Sequence, residues 1–304
     1  MAFFHTKSGK LNFVSVQYIK NRKLQEIISG LDVIIAKYAD RGFKITDIHG
    51  DPEFDGDTFK NAFPEINFHI YTQGEHVGII ERSTRTIKER CRCMCHALPY
   101  KRITRLMTRL VVVSCVKWLN AFPSDDGISS TLSPSNLVEG KNKPDLSMSA
   151  IAFGSYAMVY TKTTNTMKHR SVPGIALEQC NDHGGYYFMS LFTGKRITSN
   201  NWDELPINEE AIKRVEDIGY SESQPVMRDG YPIFEWKSSE VINDLSIGET
   251  PNDDVERVVM NDEDNSVMDV TDDEDEIENY EVSDDVRFTL QIWMFQKKMK
   301  HWKL

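Results

Sequence analysis

The stretch Lys44-Ile-Thr-Asp-Ile-His-Gly-Asp51-Pro-Glu-Phe54 decides how the rest of this chain is interpreted. Its apolar residues predict a strand, and the strand ends in an acidic turn at Asp51. A second apolar stretch, Ile66-Asn-Phe-His-Ile-Tyr71, predicts another strand. The next apolar-periodic stretch is Gly78-Ile-Ile-Glu81-Arg82-Ser-Thr-Arg85-Thr-Ile-Lys88-Glu-Arg90, which predicts a helix. One carboxylate therefore ends a strand, and another lies in the first turn of a later helix.

Asp51 and Glu81 are the candidate catalytic and metal-binding residues. Mg²⁺ prefers oxygen ligands, and two-metal phosphoryl transfer needs carboxylates that converge from separate rigid elements. The alternative interpretation is structural, with Asp51 an ordinary turn residue and Glu81 favoured by the helix dipole. Taken alone, the two residues favour this structural interpretation.

The residues before this stretch predict an α/β fold. Val14, Val16 and Tyr18 alternate with polar residues as in a strand, and Ser8-Gly-Lys10 predicts a hairpin turn before them. Residues 21–39 have apolar residues at helical spacing. The order strand, helix, strand is typical of α/β proteins. The chain enters this predicted sheet without the strand expected before the hairpin.

The residues after the Glu81 helix predict a second helix at residues 103–122, with Trp118 and Phe122 in the core. Residues 123–143 form a polar connector rich in Gly, Ser and Pro. Several short strands then follow in residues 146–206, which favours a small barrel or sandwich.

Charge divides the chain into a mildly basic body and an acidic tail. Residues 1–219 hold 24 acidic and 28 basic residues, whereas residues 220–304 hold 22 acidic and 8 basic ones. Residues 244–285 contain 18 acidic residues and one basic residue, which predicts disorder. Residues 286–304 turn basic and aromatic and predict a short helix. Removing residues 244–304 should then leave thermal stability nearly unchanged.

Several classes of protein and site are disfavoured. No apolar run approaches the roughly 20 residues that cross a bilayer, and no signal-peptide core opens the sequence. Five cysteines without an even framework favour a reducing compartment. Cys91, Cys93 and Cys95 with His96 cannot converge on one metal from a regular helix, so hydrophobic packing is the favoured interpretation.

The ordered motifs of residues 11–215 resemble the integrase region of copia-type retrotransposon polyproteins. The resemblance begins with Asp51-Pro-Glu-Phe and the Glu81 stretch. It continues with Trp118-Leu-Asn-Ala-Phe-Pro123, Thr131-Leu-Ser-Pro134, Gly185-Tyr-Tyr-Phe-Met-Ser-Leu, Thr193-Gly-Lys-Arg-Ile and Trp202-Asp-Glu-Leu-Pro206. Each motif alone is weak, and their number and order carry the resemblance.

The resemblance implies an RNase H-like core that joins element DNA ends to target DNA, using Mg²⁺ or Mn²⁺ held by three carboxylates. Asp51 and Glu81 take the second and third places. The first belongs on a strand before the hairpin, and nothing before the hairpin is acidic. The family's upstream zinc-binding module is also absent. The resemblance further implies DNA as partner, a homo-multimer, and the nucleus with a cytoplasmic phase, without membrane association or secretion.

The expected organisation is therefore that of an N-terminally truncated integrase. The predicted segments are a truncated RNase H-like catalytic core at 1–125, a connector at 126–145, a small β-rich C-terminal integrase domain at 146–219, an acidic disordered tail at 220–285 and a basic, aromatic segment at 286–304. The first strand and its carboxylate are expected to be missing, so catalytic activity stays open. The complete core could also be supplied elsewhere in a longer polyprotein.

A basic side of the Glu81 helix is the candidate nucleic-acid-binding surface, formed by Arg82, Arg85, Lys88 and Arg92. In an integrase such a face would follow the phosphate backbone. The alternative is a solvated face with pairs such as Arg85 with Glu89. The corresponding alternative for the whole chain is a domesticated, non-catalytic DNA- or protein-binding module.

Overall fold

The computed structural model describes residues 2–19, 23–50, 54, 56–71, 78–140, 149–161, 167, 169–180, 185–227 and 287–295. Its first sheet is built from five strands: β1 (Ala2–Ser8), β2 (Val14–Ile19), β3 (Lys44–Gly50), β4 (Asn67–Ile70) and β10 (Arg287–Phe295). The strand order is β2-β1-β10-β3-β4. The N-terminal hairpin and the predicted Asp51-bearing strand therefore belong to one sheet, as expected for an α/β fold.

The central strand of this sheet is β10, which comes from the far end of the sequence. It pairs antiparallel with β1, where Thr6 lies opposite Ile292, and parallel with β3, where Ile48 lies opposite Leu290. Leu290 is 1% exposed and lies in the core beside the sheet. The β1–β2 hairpin and the β3–β4 pair are connected in the sheet only through β10.

The expectation for the last part of the chain was therefore wrong. Residues 287–295 form a strand instead of a short helix, because a one-strand gap between β1 and β3 offers hydrogen bonds on both sides. The sheet also contains a strand that was not expected, since β10 lies between β1 and β3. It supplies no carboxylate there, because Arg287–Phe295 contains neither Asp nor Glu.

One face of the first sheet is covered by α1 (Leu24–Ala39), α2 (Asp57–Ala62) and α5 (Pro134–Glu139). Leu31 and Tyr38 of α1 pack in this core with Phe4 and Ile48 of the sheet. Helix α5 lies within the stretch expected to be a polar connector. It forms because Ser133 caps it, and Lys37 of α1 contacts Glu139 at 2.6 Å.

The other face carries α3 (Gly78–His96) and α4 (Arg105–Asn120), which also pack on a second sheet. This sheet is antiparallel, with the order β8-β7-β6-β5-β9, and its strands are β5 (Tyr156–Tyr160), β6 (Ser171–Gln179), β7 (Tyr186–Ser190), β8 (Arg196–Ser199) and β9 (Trp202–Glu204). A single hydrophobic core contains Val14 of β2, Val111 of α4 and Ile175 of β6. The β-rich segment is thus packed directly on the α/β core.

The segments after β9 differ from the expected boundary at Tyr220. Residues Glu209–Ser221 form α6, whose Asn208 side chain caps the first turn. Met227 packs in the same core as α4, and its N–H donates to the carbonyl of Lys101. The globular body therefore extends to Met227. Most of the predicted acidic tail, residues 228–285, lies outside the described residues.

Helix α4 ends in two aromatic side chains that were wrongly expected in the core. Trp118 and Phe122 stack at 6.2 Å between ring centroids, and Phe122 is 55% exposed. The buried stripe of α4 instead contains Met107, Val111 and Cys115. No helix in the described part of the chain has the length and apolar character to cross a membrane.

Asn120 joins α4 to the first sheet through a pair of hydrogen bonds. Its Oδ1 accepts from the Val14 N–H at 2.9 Å, and its Nδ2 donates to the Val14 carbonyl at 2.7 Å. The side chain is buried, so water cannot replace these partners. This pairing gives a physical reason for the asparagine in the Trp118-Leu-Asn-Ala-Phe-Pro123 motif.

Replacing Asn120 with leucine should lower the free energy of unfolding by roughly 2–4 kcal/mol, since two buried backbone groups lose their partners. Urea unfolding would measure the change. The same substitution at the exposed Asn61 of α2 is the matched control, with an expected change within about 0.5 kcal/mol. An Asn120→Leu protein as stable as the Asn61→Leu protein would contradict the proposed role of these bonds.

Candidate nucleic-acid interface

Glu81 lies in the first turn of α3 and is half-buried. The helix forms here because Ile80, Ile87, Cys91 and Cys95 recur on one side and pack against the body. An acidic residue in the first turn is also favoured by the helix dipole. The predicted helix and the placement of Glu81 at its start are therefore observed.

Asp51 lies outside the described residues, immediately after β3, which ends at Gly50. The expected approach of Asp51 to Glu81 thus stays a prediction. No group of three or more His, Cys, Asp or Glu side chains within the described ranges could hold a metal ion.

The basic side of α3 is exposed along most of its length. Arg82, Arg85 and Arg92 are exposed, and Lys88 is half-buried. With about 100° between consecutive residues, Arg85, Lys88 and Arg92 fall within about 60° of one another on the helix surface. The Arg85–Glu89 ion pair, which belonged to the alternative interpretation of this face, is not among the ion pairs of the described residues.

Lys7 of β1 adds a further cation that the sequence did not reveal. Burial lowers the pKa of Lys7, the nearby charge of Arg82 lowers it further, and Asp126 acts in the opposite direction. Two positive charges are therefore held close together where β1 meets the start of α3. The packing of α3 on β1 was needed to find this pair, because the two residues are 75 positions apart in the sequence.

His5 of β1 contacts α3 at the residues that follow Arg82. It is fully buried, with its Nδ1 3.1 Å from Thr84 Oγ1 and its Nε2 3.2 Å from Ser83 Oγ. Burial, with a smaller contribution from the charge of Lys7, lowers the pKa of His5 to about 3. A neutral imidazole thus fixes the turn that follows Glu81 and Arg82, a role that periodicity alone did not predict.

A polar cluster lies on one face of β3 and β4. Asp47 accepts hydrogen bonds from Thr46 at 2.7 Å and from His69 at 3.1 Å, and His49 bonds to the Tyr71 hydroxyl at 2.8 Å. The hydrogen bond from Thr46, followed by that from His69, lowers the pKa of Asp47. Both strand histidines of this cluster, His49 and His69, therefore have hydrogen-bond partners.

The cysteine cluster of α3 packs as expected and does not converge. Cys91 and Cys95 are buried, and Cys91 Sγ lies 3.5 Å from Cys115 Sγ of α4. Cys93 and His96 are exposed on the other side of the helix. This arrangement confirms hydrophobic packing for the buried pair.

Comparisons with known proteins give only slight likenesses. No protein-family model matches the chain, and no curated protein matches it. Among solved structures, the catalytic core domain of BIV integrase is similar over 45% of this chain and 93% of its own, with 13% identity and a TM-score of 0.31. The simian T-cell lymphotropic virus intasome in complex with PP2A regulatory subunit B56 gamma is similar over 66% and 70%, with 16% identity and a TM-score of 0.32. Neither likeness is strong enough to assign this chain a function.

Proposed function

We propose that this chain is a copia-type integrase core that binds DNA through the exposed side of α3. The observation that carries the proposal is the row formed by Arg82, Arg85 and Arg92, which are exposed on a helix whose opposite stripe is buried. The motif order of residues 11–215 supports the same family. The positive balance of residues 1–219 also supports a phosphate-bearing partner.

The geometry of α3 favours contact with the phosphate backbone over base recognition. Arginine guanidinium groups bind phosphate oxygens with paired N–H donors, and a rigid helix holds their spacing. Such contacts fix the position of a protein on DNA without reading its sequence. The proposed binding is therefore sequence-independent and sensitive to salt.

The test measures binding of the full chain to a labelled duplex by fluorescence anisotropy across a range of salt concentrations. Replacing Arg85 and Arg92 together with alanine should weaken binding about tenfold or more. It should also reduce the slope of log affinity against log salt by about 2, because each lost phosphate contact removes roughly 0.9 of slope. Both side chains are exposed, so these substitutions leave the buried core unaltered.

A double variant that replaces the exposed Lys195 and Lys213 with alanine is the control. It removes the same net charge from the turn between β7 and β8 and from α6, and its salt slope should match that of the unaltered chain. Equal losses in the two double variants would mean that net charge, and not the α3 surface, governs binding. Binding that is indifferent to salt would contradict the proposal as a whole.

We further propose that DNA binding, in the nucleus, is retained without strand transfer. Asp51 and Glu81 keep two places of the family's carboxylate set, whereas the strand beside β3 contains no acidic residue. Because arginine contacts to phosphate need no metal ion, binding should be unchanged by EDTA. Mg²⁺-dependent joining of a DNA end to a target, lost in an Asp51→Asn variant, would instead favour the catalytic alternative.

A further inference from the structure

The β1–β3 slot, defined as the space that β10 occupies between these two strands, is a binding site for an extended segment. Both neighbours present hydrogen-bonding groups to it, β1 in antiparallel and β3 in parallel register. The core beneath is closed by Leu290 with Phe4 and Ile48. Without an occupant, β1 and β3 would each expose an unpaired strand edge, which is a template for pairing with another chain.

A long stretch of sequence connects β10 to the rest of the body. Residues 228–286 separate β10 from Met227, the last described residue of the body. A chain of that length can extend at most roughly 210 Å. This reach places little restriction on which slot β10 enters, so β10 docks much as a separate peptide adds a strand to a sheet.

We propose that the slot also accepts β10 from a second copy of this chain, so that two copies exchange their Arg287–Phe295 strands and form a dimer. The contacts made in the slot are the same whichever copy supplies the strand, which makes the exchange inexpensive. Attachment to the same chain raises the local concentration of its own β10. The exchanged dimer therefore increases as protein concentration rises. This inference does not depend on DNA binding.

The register of β10 offers a direct test with full-length chains. Thr6 of β1 lies opposite Ile292 of β10, so cysteines at these two positions can form a disulfide only when β10 is in the slot. Thr6 suits the purpose because its buried hydroxyl has no hydrogen-bond partner among the described residues, so replacing it forfeits none. The exposed Cys93 is replaced with serine in every chain.

Two differently tagged chains, one with Thr6→Cys and the other with Ile292→Cys, are co-expressed, oxidised and separated on a non-reducing gel. The proposal predicts a covalent heterodimer at least tenfold more abundant than that from the control pair, Thr6→Cys with Thr289→Cys. Thr289 lies opposite Asp47 and is not a register partner of Thr6. A single chain with both Thr6→Cys and Ile292→Cys reports occupation of the slot by its own β10.

Each outcome of the disulfide experiment supports or overturns strand exchange. A specific covalent heterodimer supports strand exchange, whatever the result of the DNA-binding assay. An internal disulfide in the doubly substituted chain without any heterodimer means that β10 stays in its own chain, which overturns the proposal. Failure of both disulfides means that β10 does not lie beside β1, which overturns it as well.

Discussion

Deleting residues 287–304 is expected to abolish cooperative unfolding of the body. β10 forms ladder hydrogen bonds with β1 and β3, and its removal splits the first sheet into two separate pairs of strands. Domains of this size have a net stability of only about 5–15 kcal/mol, and loss of a central strand is expected to exceed that reserve. Thermal unfolding followed by circular dichroism would measure the loss.

A shorter deletion, of residues 296–304 alone, is the matched control because it keeps all of β10. Its melting temperature should stay within a few degrees of the unaltered chain. A point substitution gives a graded version of the same test. Leu290→Asp should cost roughly 4 kcal/mol, and Leu290→Met should cost less than about 1.5 kcal/mol, because only the first places a charge in the core. A normal melting transition after the longer deletion would show that β10 is dispensable.

This expectation reverses the one drawn from composition. Removing residues 244–304 was expected to leave stability nearly unchanged, because most of that stretch is acidic and poor in aromatic residues. Its last part, however, contains the strand that holds the first sheet together. The average composition of residues 244–304 therefore concealed the difference between the acidic stretch and the β10 strand that follows it.

Lowering the pH from 6.5 to 5 should destabilise the protein by roughly 2 kcal/mol through His5 alone. The pKa of His5 is lowered to about 3 in the folded state, against an ordinary value of 6.5. Below pH 6.5, His5 therefore binds a proton in the unfolded chain but not in the folded chain. The free energy of unfolding falls as the pH falls. The full loss, reached below pH 3, is roughly 5 kcal/mol at 1.36 kcal/mol per pKa unit.

Urea unfolding of the unaltered chain and of His5→Gln at pH 6.5 and pH 5 would test this effect. Glutamine retains a donor and an acceptor for Ser83 and Thr84 but does not titrate, so its stability should change less between these pH values. His49 also has a pKa lowered by burial and contributes in the same direction. A parallel His49→Gln variant separates its share. An equally steep pH dependence in His5→Gln would contradict the assignment to His5.

Local patterns in the sequence were enough to predict most elements of the body. The alternation around Val14 and Val16 predicted β2, and the stripe of Ile27, Leu31 and Ile34 predicted α1, since both patterns depend only on which side of an element is buried. The start of α3 and the position of Glu81 followed in the same way.

Features that depend on distant partners could not be predicted from local patterns. Strand β10 forms because β1 and β3 leave a slot between them. The residues next to Leu290 in the sequence give no sign of these two distant strands. Trp118 was expected in the core, but its side of α4 points outward beside Phe122. The pair Lys7 and Arg82 required the packing of α3 on β1. For the candidate site, therefore, helix α3 could be predicted from the sequence, whereas the residues of β1 that pack beside it could not.

The position of β10 near the end of the sequence also affects how the protein folds during synthesis. Roughly 280 residues separate β1 from β10, so the ribosome needs about 15–60 s to supply the strand that completes the sheet. During that interval the nascent chain carries β1 and β3 with open edges, which invite association with other chains. Production of folded protein should therefore depend on translation speed and on chaperones that shield those edges until Phe295 has emerged.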